Sequence, residues 1–129
     1  MSKVLIIDDD ISHHRLAAVL IERFGIFDNY ICYTSSKTAL VDLIHNTNQP
    51  NAVPDAILLD LNMPEIDGWQ FLERFEALPL AETRNIPVFI VTSSIDPNDS
   101  YRSEQYQVVK GFFSKPITPD ILKRIAGKE

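Results

Sequence analysis

Five short apolar runs recur along this 129-residue chain, at residues 4–7, 30–33, 56–59, 88–91 and 111–113, and each is followed by a stretch with helical periodicity. The runs are rich in β-branched residues and apolar throughout, where a strand with one wet face would alternate. Such strands need cover on both faces, and helices between successive strands supply it. An α/β domain of five parallel strands and five helices follows.

Right-handed crossovers leave few ways to order those strands. The flavodoxin-like (βα)5 order 2-1-3-4-5, with helices on both faces, is the expected one, and it opens a crevice at the carboxyl ends of strands 1 and 3. The helices carry their own punctuation. Ala17, Leu20, Ile21 and Phe24 make one buried stripe that ends at Gly25, a C-cap residue. Leu40, Leu43 and Ile44 make the next, behind Ser35 or Ser36 as N-cap. Phe71, Leu72, Phe75 and Leu78 form the third behind an Asp67-Gly68 turn, where glycine is expected to allow positive φ. Asp96-Pro97 and Thr118-Pro119 start the last two helices, a capping side chain followed by proline at the first helical position. The fourth helix is poor in apolar residues, with Tyr101 and Tyr106 as its expected anchors, and should be the most weakly held.

Charge and length narrow the function. One chain of this size makes one domain, which excludes a multidomain enzyme. With 18 acidic against 12 basic side chains the formal charge is −6, so no basic stripe is available for a phosphate backbone. The longest apolar run, residues 86–91, is far short of the roughly 20 residues that span a bilayer. The start, Met1-Ser2-Lys3-Val4, has no signal-peptide layout, and a lone cysteine, Cys32, fits a reducing compartment as a buried structural thiol. A cytoplasmic protein with neither nucleic acid nor membrane as direct partner is expected.

The crevice is where the chemistry gathers. Strand 1 ends in Asp8-Asp9-Asp10 and strand 3 in Asp60, so Asp8, Asp9 and Asp60 should share a pocket, with Asp10 as a helix N-cap. Clustered carboxylates raise one another's pKa unless a cation compensates, and Mg²⁺ with its oxygen ligands is the natural remedy. Strands 4 and 5 bring Thr92 and Lys115 to the same edge. A carboxylate nucleophile, a metal site, a hydroxyl and an ammonium are the equipment of phosphoryl transfer. His13-His14 tempts as a metal pair, but adjacent helical residues point about 100° apart; exposed histidines, or neighbours of the acid pocket, are the expected reading. Trp69 is expected to pack close to the pocket.

Leu5-Ile6-Ile7-Asp8-Asp9-Asp10, the string Asp60-Leu61-Asn62-Met63-Pro64-Glu65-Ile66-Asp67-Gly68, then Val91-Thr92-Ser93 and Phe113-Ser114-Lys115-Pro116 resemble the receiver (response-regulator) domains of two-component signalling, across essentially the whole chain and in order. The resemblance implies that Asp60 accepts a phosphoryl group from a sensor histidine kinase or a histidine phosphotransfer protein. It implies a Mg²⁺ held by Asp9, Asp60 and the backbone carbonyl of Asn62, with Asp8 completing the site. Thr92 and Lys115 would bind phosphoryl oxygens, Phe112 would take the aromatic switch position without a tyrosine hydroxyl, and Lys115-Pro116 would be cis. Asn62 and Ser94 fall at the positions that tune loss of the phosphoryl group. Residues 1–129 are expected to form one stand-alone receiver without an output domain, a monomer or a phosphorylation-dependent homodimer, and not a conventional enzyme.

Three rivals remain open at this point. A haloacid-dehalogenase-like phosphatase would use Asp8 as nucleophile but leaves the Asp60 string unexplained. A flavin carrier on the same topology would need a phosphate cradle where three aspartates stand. A degenerate receiver would serve only as a binding module, against the intact acid, hydroxyl and lysine set.

Overall fold

The computed structural model describes residues 2–46, 49, 52–79 and 84–127, so the extreme ends of the expected 1–129 domain lie outside the described residues. Among these the chain forms β1 (Lys3–Ile7), α1 (Ile11–Phe24), β2 (Asn29–Tyr33), α2 (Ser36–His45), β3 (Ala56–Leu59), α3 (Gly68–Glu76), β4 (Val88–Thr92), α4 (Pro97–Ser103), β5 (Val109–Ser114) and α5 (Pro119–Ile125). The strands make one parallel sheet in the order β2-β1-β3-β4-β5, the expected flavodoxin-like arrangement.

The pleat sorts the core into two layers, because successive side chains on a strand point to opposite faces. Val4, Ile6, Ala56, Leu58 and Val91 pack with Ala17 and Ile21 of α1 and Leu122 and Ile125 of α5. Leu5, Ile7, Ile57, Leu59, Val88 and Ile90 pack with Ala39, Leu40 and Leu43 of α2 and Phe71, Leu72 and Phe75 of α3. Each buried Val, Leu, Ile or Phe among them contributes about 1.5–3 kcal/mol by leaving water. The caps read from sequence are in place: Gly25 ends α1 in the left-handed region at φ 58°, Ser35 rather than Ser36 caps α2, and Asp96 and Thr118 cap α4 and α5.

Several expectations need correction. Phe24 and Ile44 fall in the last turns of their helices and are 45% and 51% exposed; the Phe24 ring lies instead beneath Arg23 and Lys123, at 5.9 and 5.4 Å. Tyr101 is 68% exposed and anchors nothing in the core, and Tyr106 lies beyond α4 altogether. α4 has the sequence Pro-Asn-Asp-Ser-Tyr-Arg-Ser, with no aliphatic side chain beyond the proline to form an apolar stripe, and buries Ser103 alone. It is held from outside, by Arg102 over the Trp69 ring at 4.4 Å, beside Tyr106 stacked on that ring at 6.0 Å. Gly68 does not have positive φ; in its turn that conformation falls on Glu65. Glycine is needed because α3 starts against the loop that carries Asp60, where a Cβ would meet the Asp60 carbonyl oxygen at 2.7 Å. Cys32 is half-buried rather than buried, and burial pushes its thiol pKa up.

Candidate functional site

Asp8 follows β1, Asp60 follows β3, Thr92 closes β4 and Lys115 follows β5. The ladder of the sheet runs on past the strand ends and fixes their backbones. Asp8 N–H donates to Tyr33 O at 3.0 Å, Asp60 N–H to Ile7 O at 3.0 Å, and Lys115 N–H to Thr92 O at 2.9 Å. On the outer side of β3, Asp67 caps α3 in a reciprocal capping box with Gln70, and Gly68 N–H donates to Leu61 O at 2.9 Å. The loop bearing Asp60 is thereby pinned between the sheet and the start of α3. The Lys115–Pro116 bond is cis.

Asp8 and Asp60 are both buried, and the Lys115 ammonium bridges them, 2.9 Å from Asp8 Oδ2 and 3.2 Å from Asp60 Oδ2. Their remaining surroundings differ. Asp8 Oδ1 accepts the Asp10 N–H at 2.9 Å, and Oδ2 also meets His13 Nδ1 at 2.9 Å, so both oxygens are engaged. Asp60 Oδ1 is buried without a hydrogen-bond partner.

Electrostatics follow those contacts. Burial pushes the Asp8 carboxyl up, but the His13 and Lys115 contacts and the Asp10 N–H outweigh it and bring its pKa down to about 2. Burial and then the charge of Asp8 raise the Asp60 pKa, against the pull of Lys115. Lys115 loses solvation by burial, yet its two carboxylate partners raise its pKa overall. Ionisation is favoured at one acid and opposed at the other.

One carboxylate oxygen from each of Asp8, Asp9 and Asp60 lies within 4.8 Å of the other two. The donors are all oxygen, and one buried oxygen, Asp60 Oδ1, lacks a partner that a cation would supply. A hard divalent ion such as Mg²⁺ fits this set. Thr92 is fully buried at the same edge, its Oγ1 accepting the Ser94 N–H at 3.3 Å. The Ser94 hydroxyl donates to Asp99 in the first turn of α4, which ties the strand end to that helix. Asn62 lies two residues past Asp60 with its side chain exposed. Phe112 lies on β5, pairs with Ile90 of β4 and is half-buried against the α2/α3 layer.

His13 and His14 are buried, not exposed. The Asp10 cap starts α1 over the strand ends, and both histidines continue the inward stripe of Ala17 and Ile21. That spacing was the signal for their burial. His13 is a neighbour of the acid pocket, with Nδ1 2.9 Å from Asp8 Oδ2, but neither of its ring nitrogens makes a hydrogen bond; His14 is simply buried, with Nε2 also unpartnered.

Comparison with known proteins agrees with the fold. The family model described as the response regulator receiver domain matches residues 4–126. A probable methanogenesis regulatory protein, FilR2 of Methanothrix harundinacea, is 28% identical over 121 residues, 94% of this chain and 76% of that protein. The sensor histidine kinase RcsC of Salmonella typhimurium is 31% identical over 121 residues, which are 94% of this chain but 11% of the kinase. The crystal structure of a two component response regulator from Cytophaga hutchinsonii superposes with a TM-score of 0.89 at 28% identity, covering 98% of this chain and 95% of the other.

Proposed function

This chain belongs to the response regulator receiver family, and on that premise we propose that it is a phosphorylatable receiver whose Asp60 takes a phosphoryl group from a phosphohistidine on a sensor histidine kinase or histidine phosphotransfer protein. The observation that carries the reading is the inequality of the two buried acids: Asp8 has both oxygens engaged, whereas Asp60 keeps Oδ1 free. One Asp60 oxygen is the nucleophile, and the other is left to the metal. The nucleophile attacks phosphorus, the P–N bond breaks, and the imidazole leaves with its electron pair. The same inequality disfavours the rival in which Asp8 attacks. Mg²⁺, held by Asp9, Asp60 and the Asn62 carbonyl with Asp8 completing the site, would neutralise charge on the phosphoryl oxygens. Lys115 turns from the carboxylates to the phosphoryl group, and the Thr92 hydroxyl donates to it.

The added charge biases α4, β5 and α5 toward a second arrangement. Phe112 on β5 is the packing element of that change, and Thr92 transmits it to α4 through Ser94 and Asp99. The protein acts in the cytoplasm by contact with another protein, as a monomer or a phosphorylation-dependent homodimer. Support for a signalling rather than an enzymatic role is family membership itself. Among the described residues no helix is long and apolar enough to cross a membrane.

Beryllofluoride, a mimic of the phosphoryl group, tests the reading. With Mg²⁺ present it should bind wild type, read by ¹⁹F NMR and by Trp69 fluorescence, and should not bind Asp60→Ala. Binding that survives in Asp60→Ala and is lost in Asp8→Ala would move the nucleophile to Asp8.

A further inference from the structure

Trp69, Glu73 and Glu76 fall at i, i+4 and i+7 on α3, along one stripe of the helix. All three reach the far end of α4 or the turn that leads from it into β5. The Arg102 guanidinium lies over the Trp69 ring at 4.4 Å, and Tyr106 stacks on the same ring with centroids 6.0 Å apart and planes at 23°. The Tyr106 hydroxyl donates to Glu73 at 3.4 Å, and Val108 N–H donates to Glu76 Oε2 at 3.2 Å. Tyr106 and Val108 belong to the turn and to its entry into β5; of these partners Arg102 alone belongs to α4. The start of α4 hangs on a different element. Ser94 N–H donates to Thr92 Oγ1 at 3.3 Å at the end of β4, and the Ser94 hydroxyl donates to Asp99 in the first turn of the helix.

We infer that the Arg102–Trp69 cation–π contact is a lock that holds α4 in its resting arrangement and opens when Thr92 turns to the phosphoryl group on Asp60. The two ends of α4 answer to different neighbours. Its start is tied through Ser94 to the hydroxyl that the proposed function moves. Its end rests on a ring that cannot follow, because Trp69 is 9% exposed and comes directly after Gly68, which is pressed against the Asp60 carbonyl. Ser103 is the one residue that α4 buries, so no apolar packing of the helix opposes its movement and the Arg102 contact does. A contact made in one arrangement and lost in the other biases the equilibrium by its own free energy. Removing it should favour the phosphorylated arrangement and so tighten the binding of a phosphoryl mimic. Arg102 is exposed, so its side chain can be changed without opening the core. The bare loss of a cation has the opposite sign, since it weakens attraction for an anionic mimic.

The inference rests on the receiver reading, and its test keeps the two apart. Beryllofluoride affinity at saturating Mg²⁺ is measured by ¹⁹F NMR for wild type, Arg102→Gln, Trp69→Leu and the double variant, with Asp60→Ala as the blank. Arg102→Gln should bind roughly threefold more tightly than wild type, the worth of one exposed cation–π contact. In the Trp69→Leu background the same change should give no gain, because the partner ring is gone. Hydrogen-exchange mass spectrometry without metal should show residues 97–103 exchanging faster in Arg102→Gln than in wild type. Beryllofluoride affinity that is unchanged or lower in Arg102→Gln overturns the inference, as does an equal gain in the Trp69→Leu background or equal exchange of α4 in the two metal-free proteins. In each of those cases wild type still binds the mimic and the receiver reading stands. A wild type that binds no beryllofluoride overturns the receiver reading, and the inference with it.

Discussion

Two helices flank the pocket and are held in opposite ways. α3 starts against the Asp60 loop, carries a full capping box and buries Gly68, Trp69, Phe71, Leu72 and Phe75 in nine residues. α4 follows Thr92, has seven residues and buries only Ser103. Its tethers are polar or aromatic contacts at its two ends: Asp96 and the Ser94–Asp99 hydrogen bond at the start, and Arg102 over Trp69 near the finish. Asp60 thus stands beside the well-packed start of α3, and Thr92 beside the sparsely packed α4. Regions with few buried apolar contacts open at lower free energy than the core. On the proposed reading, charge added at Asp60 would find a rigid neighbour on the α3 side and a yielding one on the α4 side.

Substitutions can break that contrast from its stronger side first. Phe71 is fully buried and stacks on Phe75 with ring centroids 5.6 Å apart. Phe71→Ala should lower unfolding free energy by about 3–5 kcal/mol in urea titration. Gly68→Ala should cost about 1–3 kcal/mol, because the new Cβ meets backbone that cannot give way, and it should weaken Mg²⁺ binding by displacing the Asp60 loop. The matching change on the other side, Tyr101→Ala, should stay within about 0.5 kcal/mol of wild type. A loss at Tyr101 as large as that at Phe71 would erase the contrast.

The two acids sharpen it at the level of charge. Asp8 has its pKa lowered in the folded state, so its contribution to stability is complete above the ordinary 3.8 and is lost as pH falls through about 2. Asp60 has its pKa raised, so the opposite sign applies. Its ionisation opposes folding once pH passes the ordinary carboxylate value, and the penalty is complete above the raised one. Asp60→Asn should consequently melt higher than wild type at neutral pH without metal, and the advantage should vanish in acid. Adding Mg²⁺ should raise the melting temperature of wild type and leave Asp60→Asn nearly unchanged. Calorimetry with EDTA and with Mg²⁺ at two pH values reads both effects.

Much of this was written locally. Strand runs, caps such as Gly25 and Thr118, and the acids at strand ends are set by spacing within a few residues, and spacing is visible in a sequence. Asp8, Asp9, Asp60, Thr92 and Lys115 converge because parallel strands in a known order align their carboxyl ends. What escaped depends on pairs far apart in the chain. The hold of Trp69 on Arg102 could not be read from α4 itself, and Tyr101, the obvious apolar candidate there, faces water. Gly68 looked like turn chemistry until the Asp60 carbonyl was seen to lie where a Cβ would be. For His13 the sequence left two readings, exposed or beside the acid pocket, and the choice depends on its distance to Asp8 across a helix cap.

The central claim is that Asp60, and not Asp8, is the group that takes the phosphoryl. Incubation with Mg²⁺ and acetyl phosphate, followed by intact mass and borohydride-trapped peptide mapping, tests it directly. The account predicts one added phosphoryl group, mapped to Asp60, abolished by EDTA and by Asp60→Asn. Folded, Mg²⁺-binding protein that gains no phosphoryl group, or gains it on Asp8, would contradict it.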